Sequence, residues 1–126
     1  MGVAIRSIPT ADGDRVLSAW MSDPASIRGD AAELALAVRY ALQLIRQKAP
    51  GNSVELRVPP FGAAQIIEGP RHTRGTPPAV IEVSTEVWLD LVVGRTGLDE
   101  AQRDGSVSAS GVRADLQGVL PLWPLS

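Results

Sequence analysis

The chain of 126 residues has no cysteine, one histidine (His72) and one lysine (Lys48). Without cysteine there can be no disulfides, thiolate metal sites or thiol nucleophiles, a usage that suits a reducing compartment and makes the cytoplasm the expected location. Zinc needs three or four N, S or O ligands, so one imidazole without thiolates makes a zinc centre improbable, and no metal or other cofactor is expected. Charge of one sign is also missing. Twelve basic residues stand against 14 acidic ones for a net charge of -2, which gives no broad positive field for nucleic acid. Eleven of the twelve basic residues are arginine, a bias attributed to base composition before chemistry.

Long apolar runs are absent as well. No stretch approaches the ~20 residues that span a bilayer, and the first 14 residues lack the apolar segment of a signal peptide. Arg6 stands where a myristoylation signal wants Ser or Thr, and the final Pro-Leu-Ser is not a peroxisomal address. A soluble, unprocessed protein without stable membrane insertion is expected. Nucleophile elbow, phosphate-cradling loop and GxGxxG are all missing, and Gly94-Arg95-Thr96-Gly97 follows a helical pattern rather than a strand, so it reads as a turn.

The length suits a single domain that removes roughly two thirds of its unfolded surface from water. Residues 1–13, with Pro9 and Gly13, read as a loose arm before a domain over 14–126. Residues 14–22 predict a short helix burying Val16, Leu17 and Trp20, and Asp23-Pro24 breaks it. Asp30 is placed to cap a stronger helix, with Glu33 reciprocating from the third helical position. From Ala31 to Lys48, Leu34, Val38, Ala41, Leu42 and Ile45 recur at spacings of three and four, and Pro50-Gly51 ends the pattern.

SVELRV and GAAQIIEG then read as a strand pair within 53–69, and AVIEV at 79–83 resumes the sheet. Ser84 or Thr85 caps a helix that presents Val87, Trp88, Leu91 and Val92 and stops at Gly94. A shorter helix spans Leu98 to Asp104, and Val107 and Ala109 alternate with serines in a short strand. Leu116, Val119 and Leu120 suggest a closing helix that Pro121 and Pro124 keep short.

Candidate chemistry is sparse. Asp99-Glu100 and Asp12 with Asp14 are carboxylate pairs, but neighbouring helical positions point apart, so solvated surface is the stronger reading. Glu68 or His72 alone would suffice for simple proton transfer, yet no partner group directs either residue to it, and no enzymatic activity is expected. The segment Arg71-His72-Thr73-Arg74-Gly75-Thr76 is suited to bind a phosphate or carboxylate through charge-assisted hydrogen bonds. As an ordinary turn, its arginines would pair with Glu68 or Glu82. Trp20, Trp88, Trp123, Phe61 and Tyr40 are all the aromatics, and core packing is their default role. Leu122, Trp123 and Leu125 sit in a tail too proline-rich for a long helix, and they need cover from a groove, a lipid or a partner.

The run LDLVVG to Gly94, LDEAQRDG to Gly105, SVSAS, Gly111 and ADLQGVL resembles the C-terminal half of the sterol carrier protein domain. The centre, VELRVPPFGAAQIIEGPRHTRGTPPAVIEV, is similar to small stand-alone bacterial orthologues of that family found in actinobacteria. The resemblance implies an α+β fold in which a curved, mainly antiparallel five-stranded sheet covered by helices encloses an apolar tunnel without covalent chemistry. It implies binding of a lipid, fatty acid, fatty acyl group or sterol, with Leu42, Ile45, Ile66, Val80, Trp88, Leu91, Leu116 and Leu120 as candidate lining. Arg71, His72 and Arg74 are candidates for a polar rim. A closing helix cut short by prolines would either leave an open groove or let the tail fill it. The alternative is a protein-interaction module that keeps the fold without the ligand and docks through the tail or the arginine loop.

Overall fold

The computed structural model describes residues 7–69, 79–110, 116 and 118–124. Helices α1 (Thr10–Ser22), α2 (Ala25–Arg28) and α3 (Ala31–Lys48) lead into strands β1 (Val54–Val58), β2 (Gly62–Ile66) and β3 (Ala79–Val83). Helices α4 (Thr85–Val93) and α5 (Leu98–Arg103) follow, and strand β4 spans Val107–Ser110. The α3 limits match the amphipathic pattern, and the Asp30 carboxylate accepts from the backbone N–H groups of Ala32 and Glu33. Ser84 caps α4 through its hydroxyl, and Gly94 ends it in the left-handed region at φ 79°.

The strands form an open mixed sheet in the order β2-β1-β3-β4. Of the expected five-stranded, mainly antiparallel sheet, four strands lie among the described residues; the β1–β2 and β3–β4 pairings are antiparallel, whereas β1 pairs with β3 in parallel, Val54 opposite Ala79. The cause lies in the route of the chain. β2 runs back along β1 so that Ile66 ends opposite Val54, and β3 begins at that same end on the other side of β1. The link between β2 and β3 therefore has only to pass the end of one strand. No crossover along the sheet is required, because β2 itself makes the return between the two parallel strands. The backbone N–H of Ala79 donates to Ser53 O at 3.1 Å and fixes that start.

Val54, Leu56, Val58, Ala64, Ile66, Ala79, Ile81, Val83 and Val107 turn one face of the sheet toward the helices, and all are buried. Glu55, Arg57, Gln65 and Glu82 lie on the other face, where Arg57 pairs with Glu55. The same core takes in α1 through Val16, Leu17 and Trp20, and reaches the C-terminal segment at Leu116 and Leu122. The first helix starts at Thr10, four residues before the expected Asp14, so the last part of the expected arm is helical. A backbone bond from Gly13 to Pro9 O and the pairing of the Ile8 backbone with the Gln43 side chain tie this entrance down.

The expected closing helix falls largely outside the described residues. Among the described residues, Leu116 and 118–124 carry one turn, in which Val119 and Leu120 N–H groups donate to Leu116 O, followed by irregular chain. Pro121 and Pro124 lack the N–H a helix would use, and Gly118 takes φ 85°. Residues 1–6 of the arm, 111–115 and 117 of the closing segment, and Leu125 lie outside the described residues.

Candidate apolar groove

Two sets of bonds hold the C-terminal segment against the helices. The N–H groups of Leu122 and Trp123 both donate to Val92 O, at 2.9 and 3.0 Å, and Trp123 Nε1–H donates to Asp14 Oδ1 on α1 at 3.0 Å. Val92 O belongs to the last turn of α4, where helix carbonyls have no partner within the helix, so the tail supplies what the helix end lacks. Lys48, the last residue of α3, donates to Val119 O at 2.7 Å and to Pro121 O at 3.5 Å.

Between this segment and the α4–α5 turn lies an open groove of about 360 Å³. Leu91 and Leu98 line it from the helices and Leu116, Leu120 and Pro121 from the C-terminal segment, together with Thr96, Gly97, Asp99 and Gly118. Thr96 Oγ1–H is committed to Glu100 Oε2 at 2.9 Å. The volume falls within the roughly 300–1,000 Å³ of small-molecule sites, and four leucines make the surface chiefly apolar. A second hollow of about 460 Å³ lies beyond the tail, lined by Asp14, Arg15, Ser18, Trp123 and Pro124. Its charged groups are engaged: Asp14 accepts from Trp123, and Arg15 pairs with Glu33.

The eight expected lining residues separate into three groups. Leu91, Leu116 and Leu120 meet in the groove. Leu42, Ile45, Ile66 and Trp88 belong to the packed interior, with Ile45, Ile66 and Trp88 at 0% exposure, so no water-sized void touches those three side chains. Val80 is only half-buried and lies on the sheet face opposite Ile81. Arg71, His72 and Arg74 lie outside the described residues. Sequence reasoning missed Leu98 and the lysine contact; Lys48 as the chain's only lysine was the available signal.

Trp88 is the one buried side chain among the described residues whose polar atom, Nε1, lacks a partner. Trp20, by contrast, donates to Asp90 Oδ1 at 2.9 Å and lies beneath the Arg28 guanidinium, 5.5 Å from its centroid. Arg95 also donates to the Trp20 carbonyl at 3.1 Å. A buried unpaired donor costs about 1–3 kcal/mol, comparable to the packing lost when indole becomes phenyl. Trp88→Phe is therefore expected to leave stability within about 1 kcal/mol, whereas Trp20→Phe costs about 2 kcal/mol through Asp90 as well. Equal losses in urea denaturation would contradict this difference.

The arrangement is a helix-covered α+β sheet with an apolar groove at one end of the helical layer. No three His, Cys, Asp or Glu side chains gather as metal ligands among the described residues, and no described helix is long and apolar enough to cross a membrane. A family model described as bacterial SCP ortholog matches residues 30–122, about three quarters of the chain. The chain belongs to this family, that of small bacterial sterol carrier proteins. The match begins at the Asp30 cap of α3, so α1 lies outside it although Val16, Leu17 and Trp20 complete the core. No curated protein matches the chain at a significant level.

Proposed function

We propose that the protein is a non-catalytic carrier for a single-chain apolar molecule, bound in the groove between the α4–α5 turn and the C-terminal segment. The meeting of Leu91, Leu98, Leu116 and Leu120 around one open hollow carries this reading. Family membership supports it, since domains of this kind are generally carriers. The site lies at the end of the helical layer rather than between helices and sheet, because Ile45, Ile66 and Trp88 are packed without accessible surface. Affinity comes from apolar area removed from water, at about 25 cal/mol per Å². The interaction-module alternative gains nothing from the tail, whose Leu122 and Trp123 are occupied within the domain.

Organic extraction of the purified protein with mass spectrometry, and titration with 11-(dansylamino)undecanoic acid, test the reading. Saturable binding is expected, and Leu98→Gln, at a half-buried wall position, should weaken it about tenfold without unfolding the domain. Absence of both a co-purifying apolar molecule and saturable binding would overturn the carrier assignment.

A further inference from the structure

We infer that the outer edge of β2 docks a second copy of this chain, with the two β2 strands antiparallel about a two-fold axis at Ala64. β2 ends the sheet and has a neighbour, β1, on one side only. The ladder decides which of its backbone groups are free. Ala79 N–H donates to Ser53 O, so by alternation along the strand the groups of Glu55 and Arg57 face β3, and those of Val54, Leu56 and Val58 face β2. Across the ladder these meet Ile66, Ala64 and Gly62. The N–H and C=O groups of Ala63 and Gln65 therefore point out of the sheet, and both residues are exposed. On either side of this window the outward groups are engaged: Phe61 O accepts from Arg39 Nε at 3.0 Å, and Ile67 N–H donates to Ala49 O at 2.7 Å.

That window sets the register. With Ala63 opposite Gln65 of the second copy, and Gln65 opposite its Ala63, all the free groups of both strands pair. A slip of two residues would set one of them against Phe61 or Ile67, whose groups are taken. The strand GAAQI carries neither charge nor proline, the usual means of blunting an edge. Charge then favours a second copy over any other extended chain. Arg39 is held at the Phe61 end of β2, and Glu68 follows the Ile67 end, about 20 Å away at ~3.3 Å per residue. Neither enters the ion pairs among the described residues, Arg15–Glu33, Arg28–Glu86, Arg57–Glu55 and Arg95–Asp90. Within one copy they are too far apart to meet. An antiparallel two-fold brings the Arg39 of each copy to the Glu68 of the other, so opposite charges face each other at both ends.

Two short strands bury less than a standard interface, so the expected dimer is transient, with a Kd of about 100 µM. Sedimentation velocity at protein concentrations up to about 1 mM should show monomer giving way to dimer. Over the same range the amide NMR signals of Ala63 and Gln65 should move, while those of Leu56 and Ile81 stay. Ala63→Pro removes an outward N–H, which an edge strand tolerates, and should weaken the dimer at least tenfold with the fold intact. Glu68→Arg should weaken it about tenfold through repulsion at both ends, and adding Arg39→Glu should restore it to within about threefold. If Ala63→Pro were to unfold the domain, the charge exchange would still decide. A monomer at every concentration would overturn the inference. So would a folded Ala63→Pro variant that dimerises unchanged, a charge reversal that the second reversal fails to repair, or concentration-dependent shifts that avoid Ala63 and Gln65.

Discussion

Gly13→Val is expected to destabilise the domain by about 3 kcal/mol, at the upper end for overpacking, although the glycine sits inside a helix where propensity alone favours replacement. Gly13 lies buried in α1, and a Cβ there would stand within the ring of Tyr40 on α3. Tyr40 is itself 2% exposed, and burial first, then the charge of Asp14, holds its phenol above the ordinary range. The ring thus has little room to move aside. Even alanine poses two opposed effects: it removes a helix penalty of about 1 kcal/mol, but it introduces a carbon where the two helices touch. The packing effect is the larger, so Gly13→Ala should also destabilise, by about 1–2 kcal/mol net. Urea denaturation of both variants checks the order, with midpoints falling and slopes unchanged. Pairing Gly13→Ala with Tyr40→Leu should cost less than the sum of the single changes, because the smaller side chain vacates the contested space.

The same glycine explains one difference between sequence and structure. Gly13 and Pro9 read as punctuation, so the first helix was expected only from Asp14. In the fold Pro9 is the residue before the helix, and Gly13 serves a helix–helix contact that is visible only once Tyr40 is in place. α3, β1, α4 and α5 were legible because their signals are local: the Asp30 and Ser84 caps, the stop at Gly94, and the alternation of Val54, Leu56 and Val58. The parallel pairing of β1 with β3 was not, since AVIEV pairs equally well in either direction and the choice depends on where β2 leaves the chain.

The candidate site divides along the same line. Periodicity marks a residue as apolar and inward, and that description fits both Ile45 in the packed core and Leu91 in the groove. Which inward residue borders a hollow depends on what the C-terminal segment covers. Its path is set by long-range contacts, Lys48 to Val119 and Trp123 to Asp14, that have no local signature.

Those contacts make Leu122 the position where stability and site are expected to fail together. Leu122 is 4% exposed, and its N–H and that of Trp123 satisfy Val92 O at the end of α4. Leu122→Asp would bury a carboxylate, whose desolvation costs several kcal/mol, more than the segment gains by docking. The segment should therefore leave the surface rather than bury the charge, which limits the loss to its docking free energy. With a leucine worth about 2–3 kcal/mol and the tail bonds adding to it, less the entropy of ordering the chain, about 3 kcal/mol is expected, or roughly 10 °C in Tm. Hydrogen exchange should show the amides of residues 122 and 123 unprotected, while those of β1 and β3 remain slow. Trp123 emission should shift to the red as its bond to Asp14 is lost. Because Leu120 and Pro121 leave with the tail, the groove loses a wall, and affinity for the dansyl fatty acid should fall at least tenfold even at temperatures where the domain stays folded. Leu122→Met, which conserves volume and carries no charge, should preserve both protection and binding. If Leu122→Asp lowered Tm while the tail amides stayed protected, the segment would be held by something other than this leucine.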